Sequence, residues 1–344
     1  MYLEQEIAEQ PDVIRRLLSE EAQNVADIAT AIRDFDPIFV MIAARGTSDN
    51  AGRYAQYLMG IQADLPVALA TPSVHTLYQS PPRLSRALVI GISQSGQSVD
   101  VTQVISDARQ QGALTIGITN DPNSLLAQTA EYHIFLRTGD EKSIAATKTY
   151  TAQLMAVAML GTALVDQSES SEKLKKLPDY VAQTLSASES IPDWVERYRY
   201  VERFAAIGRG YNYCTAFEIS LKLKELCYLT GEEYSEADFR HGPIAVIEHG
   251  FPVITIAPHG KTLTVLLDLL AKLQERRAEC LIISNAAETH AFARKVMPFP
   301  AQVPEWLSPI CAVIPGQVLA MNLAKVKDYS VDEPRGLTKV TVTR

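Results

Sequence analysis

Two kinds of chemistry-bearing residue gather in this sequence: acid–base groups at helical spacing, and hydroxyl residues crowded into short loops. The stretch Phe217–Leu229 reads as a helix, and Glu218, Lys222 and Glu225 fall at i, i+4 and i+7 on one face. A carboxylate held near an ammonium can move a proton at carbon while the ammonium balances the negative charge that develops. A solvated face with surface ion pairs is the plainer reading of that spacing, and Lys224 points elsewhere. The next stretch, Gly231–Pro243, weakens the plainer reading: it is polar, has few apolar anchors, and ends at His241 before Gly242-Pro243. A lone histidine is still more often structural than catalytic.

The loops Arg45-Gly46-Thr47-Ser48-Asp49-Asn50 and Ser93-Gln94-Ser95-Gly96-Gln97-Ser98 each follow an apolar run and lead into a helical pattern. Hydroxyls and backbone N–H groups at a helix start donate to anions, so Ser48, Ser93, Ser95 and Ser98 are candidate phosphate ligands. Ordinary turn chemistry explains either loop alone; two on consecutive strand ends of one sheet favour a shared anion. No GxGxxG follows the first strand and no Walker lysine is present, which makes a nucleotide the weaker ligand. The C-terminal stretch Asp332–Arg344 combines Pro334, Gly336 and alternating Val/Thr. It is expected to be an ordered, non-helical tail whose Lys339 could cap a site.

The elements that must position these groups alternate. Continuous apolar runs at Ile38–Ala44, Ala87–Ile92, Leu114–Ile118 and Tyr132–Leu136 read as strands covered on both faces, separated by helical patterns such as Lys148–Leu164. Helices broken at Pro11 precede them. Phe204–Ile207, Pro252–Ile256 and Cys280–Ile283 repeat the order. Arg45-Gly46 and Arg209-Gly210 stand 164 residues apart, as do Ile90-Gly91-Ile92 and Ile254-Thr255-Ile256, and Asn120 and Asn285 stand 165 apart. The fold class is therefore α/β: two tandem copies of a flavodoxin-like, doubly wound parallel sheet with helices on both faces. The expected domains are 1–190, 191–330 and a tail 331–344, with the polar Gln167–Glu172 stretch between the copies. The second copy has Ala257-Pro258-His259-Gly260 where the first has its serines, so only the first is expected to bind phosphate.

A chain of 344 residues suits two such domains, and a net charge of −8 without a basic run argues against nucleic acid. The N-terminus lacks an apolar signal core, and no segment reads as long enough to span a bilayer. Cys214, Cys227, Cys280 and Cys311 form no CxxC pair and read as buried thiols of a reducing, cytoplasmic compartment, with a metal site unexpected.

In order and completeness these motifs resemble the sugar isomerase (SIS) proteins, and specifically the isomerase half of glucosamine-6-phosphate synthase. The resemblance starts at Glu6–Pro11 and runs through Gly46-Thr47-Ser48, Ser93–Gly96, Ala146-Thr147-Lys148, Leu221–Glu225 and His241-Gly242-Pro243. It ends at Asp332-x-Pro334-Arg335-x-Leu337-x-Lys339, so it covers essentially the whole chain. It implies that Gly46, Thr47, Ser48, Ser93, Gln94, Ser95, Ser98 and Ala146 surround a sugar 6-phosphate. It implies Glu225 as the base acting between C1 and C2, Lys222 as the stabiliser of the intermediate, Lys339 near the carbonyl carbon, and His241 as the ring opener. It also implies a homodimer with His241 contributed across the interface, and no cofactor or metal.

The departures from that pattern bear on the reaction. No cysteine precedes Cys214 and there is no room before this region for a glutaminase domain, so glutamine hydrolysis is not expected in this chain. Arg45 stands where the synthases usually carry a cysteine, and Arg45-Gly46-Thr47-Ser48-Asp49 is more like the stand-alone SIS-type glucosamine-6-phosphate deaminases. Deamination of glucosamine 6-phosphate to fructose 6-phosphate is thus the leading expectation. The alternatives are a synthase-like aminotransferase fed ammonia by a separate glutaminase subunit, a fructosamine-6-phosphate deglycase, and a non-catalytic sugar-phosphate sensor. His75, His133, His249, His259 and His290 read as structural or surface groups, and Lys148 as equally a support or a ligand.

Overall fold

A computed structural model describes residues 1–165 and 168–339. The apolar runs become two parallel five-stranded sheets. The first contains β1 (Phe39–Ala43), β2 (Val67–Leu69), β3 (Ala87–Ile92), β4 (Leu114–Thr119) and β5 (Tyr132–Phe135), in the order β2-β1-β3-β4-β5. The second contains β6 (Arg203–Gly208), β7 (Thr230–Ser235), β8 (Pro252–Ile256), β9 (Glu279–Ser284) and β10 (Lys295–Pro298), in the order β10-β9-β8-β6-β7. Every pairing is parallel. Counted within each sheet, both orders are 2-1-3-4-5, the flavodoxin-like arrangement. All six residues of β3 and of β4 are buried, as strands covered by helices on both faces require.

The strands that the pattern missed, β2, β7 and β10, all lie at sheet edges. An edge strand completes one ladder only and needs no continuous apolar run. The correction matters most for β7, because Thr230–Ser235 lies in the polar stretch after the acid–base helix and pairs along its whole length with β6. Gly231 permits this approach: a Cβ there would lie 2.2 Å from the Phe204 ring.

The leading helices are α1 (Tyr2–Ala8), α2 (Gln10–Glu20) and α3 (Ala22–Phe35). The first break falls at Glu9, and Pro11 sits in the first turn of α2, where its missing N–H costs nothing. The helices that carry or support site residues are α4 (Thr47–Gln62), α5 (Val99–Gln110), α6 (Lys148–Val165), α7 (Tyr213–Cys227), α8 (Leu263–Glu275) and α9 (Ser308–Val326). Of the expected linker, Gln167 lies outside the described residues, and Ser168–Lys175 is helical.

The chain forms two compact units. The β1–β5 unit takes the described parts of Asp12–Glu141, Lys148–Lys176 and Thr338–Arg344; the β6–β10 unit takes Met1–Pro11, Lys142–Thr147 and Leu177–Leu337. Within the β6–β10 unit, Asp332 accepts hydrogen bonds from Tyr2 N and Leu3 N at 3.1 and 2.8 Å and so caps α1. The buried Glu6 carboxylate accepts from Lys142 N, Ser143 N and the Ser143 hydroxyl, anchoring the 142–147 segment to α1. Arg335 lies over the Tyr228 ring at 3.9 Å, and its N–H donates to the Tyr228 hydroxyl. The tail is non-helical through Lys339, as expected; the Val/Thr alternation beyond it lies outside the described residues.

One expectation is corrected. The 22-residue stretch Glu305–Val326 is long and apolar enough to cross a membrane, although its most apolar window is wholly buried in the protein. It escapes a reading for spans because Pro309, Pro315 and Gly316 interrupt it, yet it serves as the central helix packed against α7. Gly316 lies in this contact: a Cβ there would lie 2.4 Å from Ile219 Cγ1.

Gly316→Ala should therefore lower stability by about 1–3 kcal/mol through overpacking, although alanine is the better helix former. A thermal melt with unchanged or raised Tm would show that α7 and α9 part freely. Burial pushes the thiols of Cys227 and Cys311 up to about 12 and that of Cys280 up to about 11, and Cys214 is buried too. Iodoacetamide at about pH 8 should spare all four in the folded protein and label all four in denaturant, as read by mass spectrometry.

Candidate functional site

In the β1–β5 unit, the two hydroxyl loops lie at the carboxyl ends of β1 and β3, the edge of such a sheet where ligands bind. Gly46 turns the first loop at φ +51° and lets α4 begin at Thr47. Ser48, in the first turn, is buried and accepts a hydrogen bond from Gln153 Nε2 of α6 at 2.9 Å. Arg45 is paired through Nε with the fully buried Asp100 at 2.7 Å. Burial raises the Asp49 carboxyl above its ordinary value, against the pull of Arg53 and Arg45.

The second loop folds on itself. Gly96 N donates to Ser93 Oγ at 3.2 Å, Gln97 N donates to Ser95 Oγ at 3.3 Å, and the Ser93 and Ser98 hydroxyls lie 3.2 Å apart. Ser98 is the N-cap residue of α5, yet its hydroxyl makes no capping bond and faces Ser93. Gly96 has φ +63°, and a Cβ there would lie 2.1 Å from Ser124 Oγ, so the turn requires glycine. Gln94 contributes its carbonyl, which accepts from Asn120 N at 2.9 Å. The structure thus gathers Ser93, Ser95 and Ser98 around one turn. Ala146 belongs to the β6–β10 unit.

The tail lysine also falls in the β1–β5 unit. Lys339 Nζ is 3.0 Å from Oε2 of the fully buried Glu141, whose Oε1 accepts from Thr149 N at 3.1 Å. Glu141 was missed in the sequence, where nothing links it to a lysine 198 residues away. Its only signal is an acidic residue just before the Ala146-Thr147-Lys148 motif. Lys148 is buried and donates to the Asp140 carbonyl at 2.6 Å, a contact that supports the local chain.

In the β6–β10 unit, α7 presents the acid–base face as its spacing requires. Lys222 Nζ lies 2.5 Å from Glu225 Oε2 and 3.4 Å from Glu218 Oε1. The lysine side chain is 1% exposed and Glu218 0%, while Glu225 keeps 22%. Glu218 shares the face in the sequence, and its burial beside the ammonium makes it the group that holds Lys222. Lys224 pairs with Glu233 of β7 at 2.8 Å, off the face, as expected. His241 is exposed at the end of the short helix Glu236–Arg240, where its N–H donates to the Asp238 carbonyl. Structure brings Lys222 and Glu225 together and leaves His241 on a separate loop of that unit.

Comparison with known proteins bears on this arrangement. The SIS domain family matches residues 38–163 and 199–326. A glutamine–fructose-6-phosphate aminotransferase (isomerizing) of Pyrococcus horikoshii is 32% identical over 347 residues, covering 99% of this chain and 58% of that protein. The chain thus spans little more than half the length of such relatives. The C-terminal domain of glucosamine-fructose-6-phosphate aminotransferase from Francisella tularensis is 26% identical with a TM-score of 0.85, covering 97% of this chain and 98% of that one. A glucosamine-6-phosphate deaminase from Thermotoga maritima shares the fold at 21% identity and TM-score 0.82, with 100% of both chains covered.

Removing the ammonium alone leaves the Glu218 carboxylate buried without the Lys222 charge, so Lys222→Met should cost about 3–5 kcal/mol. Adding Glu218→Gln should recover most of that loss. Chemical denaturation of the two variants checks the pairing, and equal stabilities would overturn it.

Proposed function

The chain belongs to the SIS domain family, and we propose that it is an amino-sugar phosphate isomerase that deaminates glucosamine 6-phosphate to fructose 6-phosphate and ammonia. The observation that carries this reading is the α7 cluster. A carboxylate that is 22% exposed, Glu225, is fixed on a rigid helix by an ammonium that is itself buried. Such a group can serve a carbon acid without being free to turn away.

On this reading the serines of the β3–α5 loop, with Ser48 and Thr47, hold the 6-phosphate by neutral donors. His241 exchanges the proton that opens the ring, contributed across a homodimer as the family resemblance implies. Glu225 removes the C2 proton of the open aldose, leaving an enolamine, and returns a proton to C1. The product is the 2-imine of the ketose. Water then adds at C2 and ammonia leaves, so the sum is substrate plus water giving ketose phosphate plus ammonia. Lys222 balances charge on the enolamine oxygen, and Lys339, oriented by Glu141, lies near the carbonyl carbon.

The deaminating direction draws support from Arg45, whose pairing with Asp100 fixes a bulky cation where the synthases usually carry a cysteine. A second reading draws support from the relatives' names: the same chemistry run in reverse, using ammonia supplied by a separate glutaminase.

Purified protein should release ammonia from glucosamine 6-phosphate. Glu225→Gln should lower turnover by about 10²–10⁴-fold while fructose 6-phosphate still binds near its wild-type affinity. Ammonia incorporation into fructose 6-phosphate without measurable release would favour the second reading. Loss of binding together with turnover would remove Glu225 as the base.

A further inference from the structure

Both sheets carry a loop after their third strand, and the loops differ in what their donors hold. Gly96 and Ser98 stand 164 residues before Gly260 and Thr262, so the second loop keeps the glycine and the hydroxyl residue that begins its helix. Thr262 is the N-cap residue of α8, as Ser98 is of α5. In the first loop, Gln97 N donates to a serine hydroxyl and Ser98 faces another. At the matching positions of the second loop the donors converge on one carboxylate. Lys261 N donates to Glu305 Oε2 at 2.8 Å, while Thr262 N and Thr262 Oγ1 donate to Glu305 Oε1 at 3.1 and 2.7 Å.

Gly260 makes room for this carboxylate, since a Cβ there would lie 2.4 Å from Glu305 Cδ. Two backbone amides and a hydroxyl at the start of a 13-residue helix are the donor set expected around a phosphate. Here the oxygens come from a side chain on the turn Glu305–Leu307 that leads into α9. The charge is felt nearby: the Tyr211 hydroxyl is pushed up to about 12, first by burial and then by Glu305.

We propose that Glu305 is a built-in anion that fills the phosphate cradle of the second copy, so that each chain takes one phosphosugar and not two. This rests on the reading of the first loop as a phosphate site. It also changes the reason for expecting the second copy to be silent. The donors were not all lost with the serines; three remain, and they are spent on Glu305.

The test is calorimetric titration of the full chain, wild type and Glu305→Ala, with fructose 6-phosphate and then inorganic phosphate. The wild type should bind one fructose 6-phosphate per chain and no further phosphate. The variant should bind two phosphate groups per chain, counted over fructose 6-phosphate and inorganic phosphate together. With the first loop already occupied by fructose 6-phosphate in both proteins, about 10 mM phosphate should raise its Tm but not that of the wild type. A variant without the added phosphate or the Tm response would make Glu305 an ordinary helix cap and overturn the proposal. Wild type that binds no fructose 6-phosphate would instead overturn the reading of the first loop, and the gain of one phosphate by the variant would still be measured. If Glu305→Ala folds only in phosphate, the proposal stands. If it folds in neither buffer, Glu305→Ser repeats the titration, and the same two results decide.

Discussion

An ammonium shut away from water between two carboxylates of its own helix sets the terms for the β6–β10 unit. Placing Lys222 in the interior carries a desolvation penalty that its two partners offset without a clear surplus, so the cluster is a poor source of stability. What it supplies is position. Glu218 holds the lysine from the buried side, and the lysine holds Glu225 at the rim. For that chain of contacts to be rigid, α7 must be pressed against its support, which explains an apolar α9 and a glycine at the crossing. The proton-handling end of the site is built backwards from its deepest charge.

The two sheets show how little of the chemistry resides in the fold. Their strand orders are the same, and their third strands end in loops that match residue for residue at the glycine and the N-cap. One loop turns its amides to serine hydroxyls, which an incoming anion can displace at small cost. The other turns them to a carboxylate that is covalently part of the chain. A few side chains at one strand end separate a candidate binding site from a closed one, while the framework around them is unchanged.

Much of this was legible in the residues. Strands buried on both faces announce themselves as continuous apolar runs, and α7 declares its face by spacing alone. The edge strands β2, β7 and β10 did not, because an edge needs only one ladder and tolerates residues such as Thr230, Glu232 and Glu233. The serine loops were readable because their donors are neighbours in sequence. Glu141 and Glu305 were not, since each meets its partner only after the chain has folded back over many residues. Asp332 and Arg335 belong to the tail motif that carries the resemblance, and their contacts cap α1 and cover Tyr228.

A gene doubled end to end should yield a protein that one cut divides in two. This chain has lost that property. It passes from one unit to the other after Pro11, Glu141, Thr147, Lys176 and Leu337. A nick anywhere between the copies would leave each fragment lacking pieces of its own unit: the anchored α1 on one side, the lysine-bearing tail on the other. The ancestral halves have become mutually indispensable, so truncation or separate expression of either half is expected to forfeit the fold along with the site.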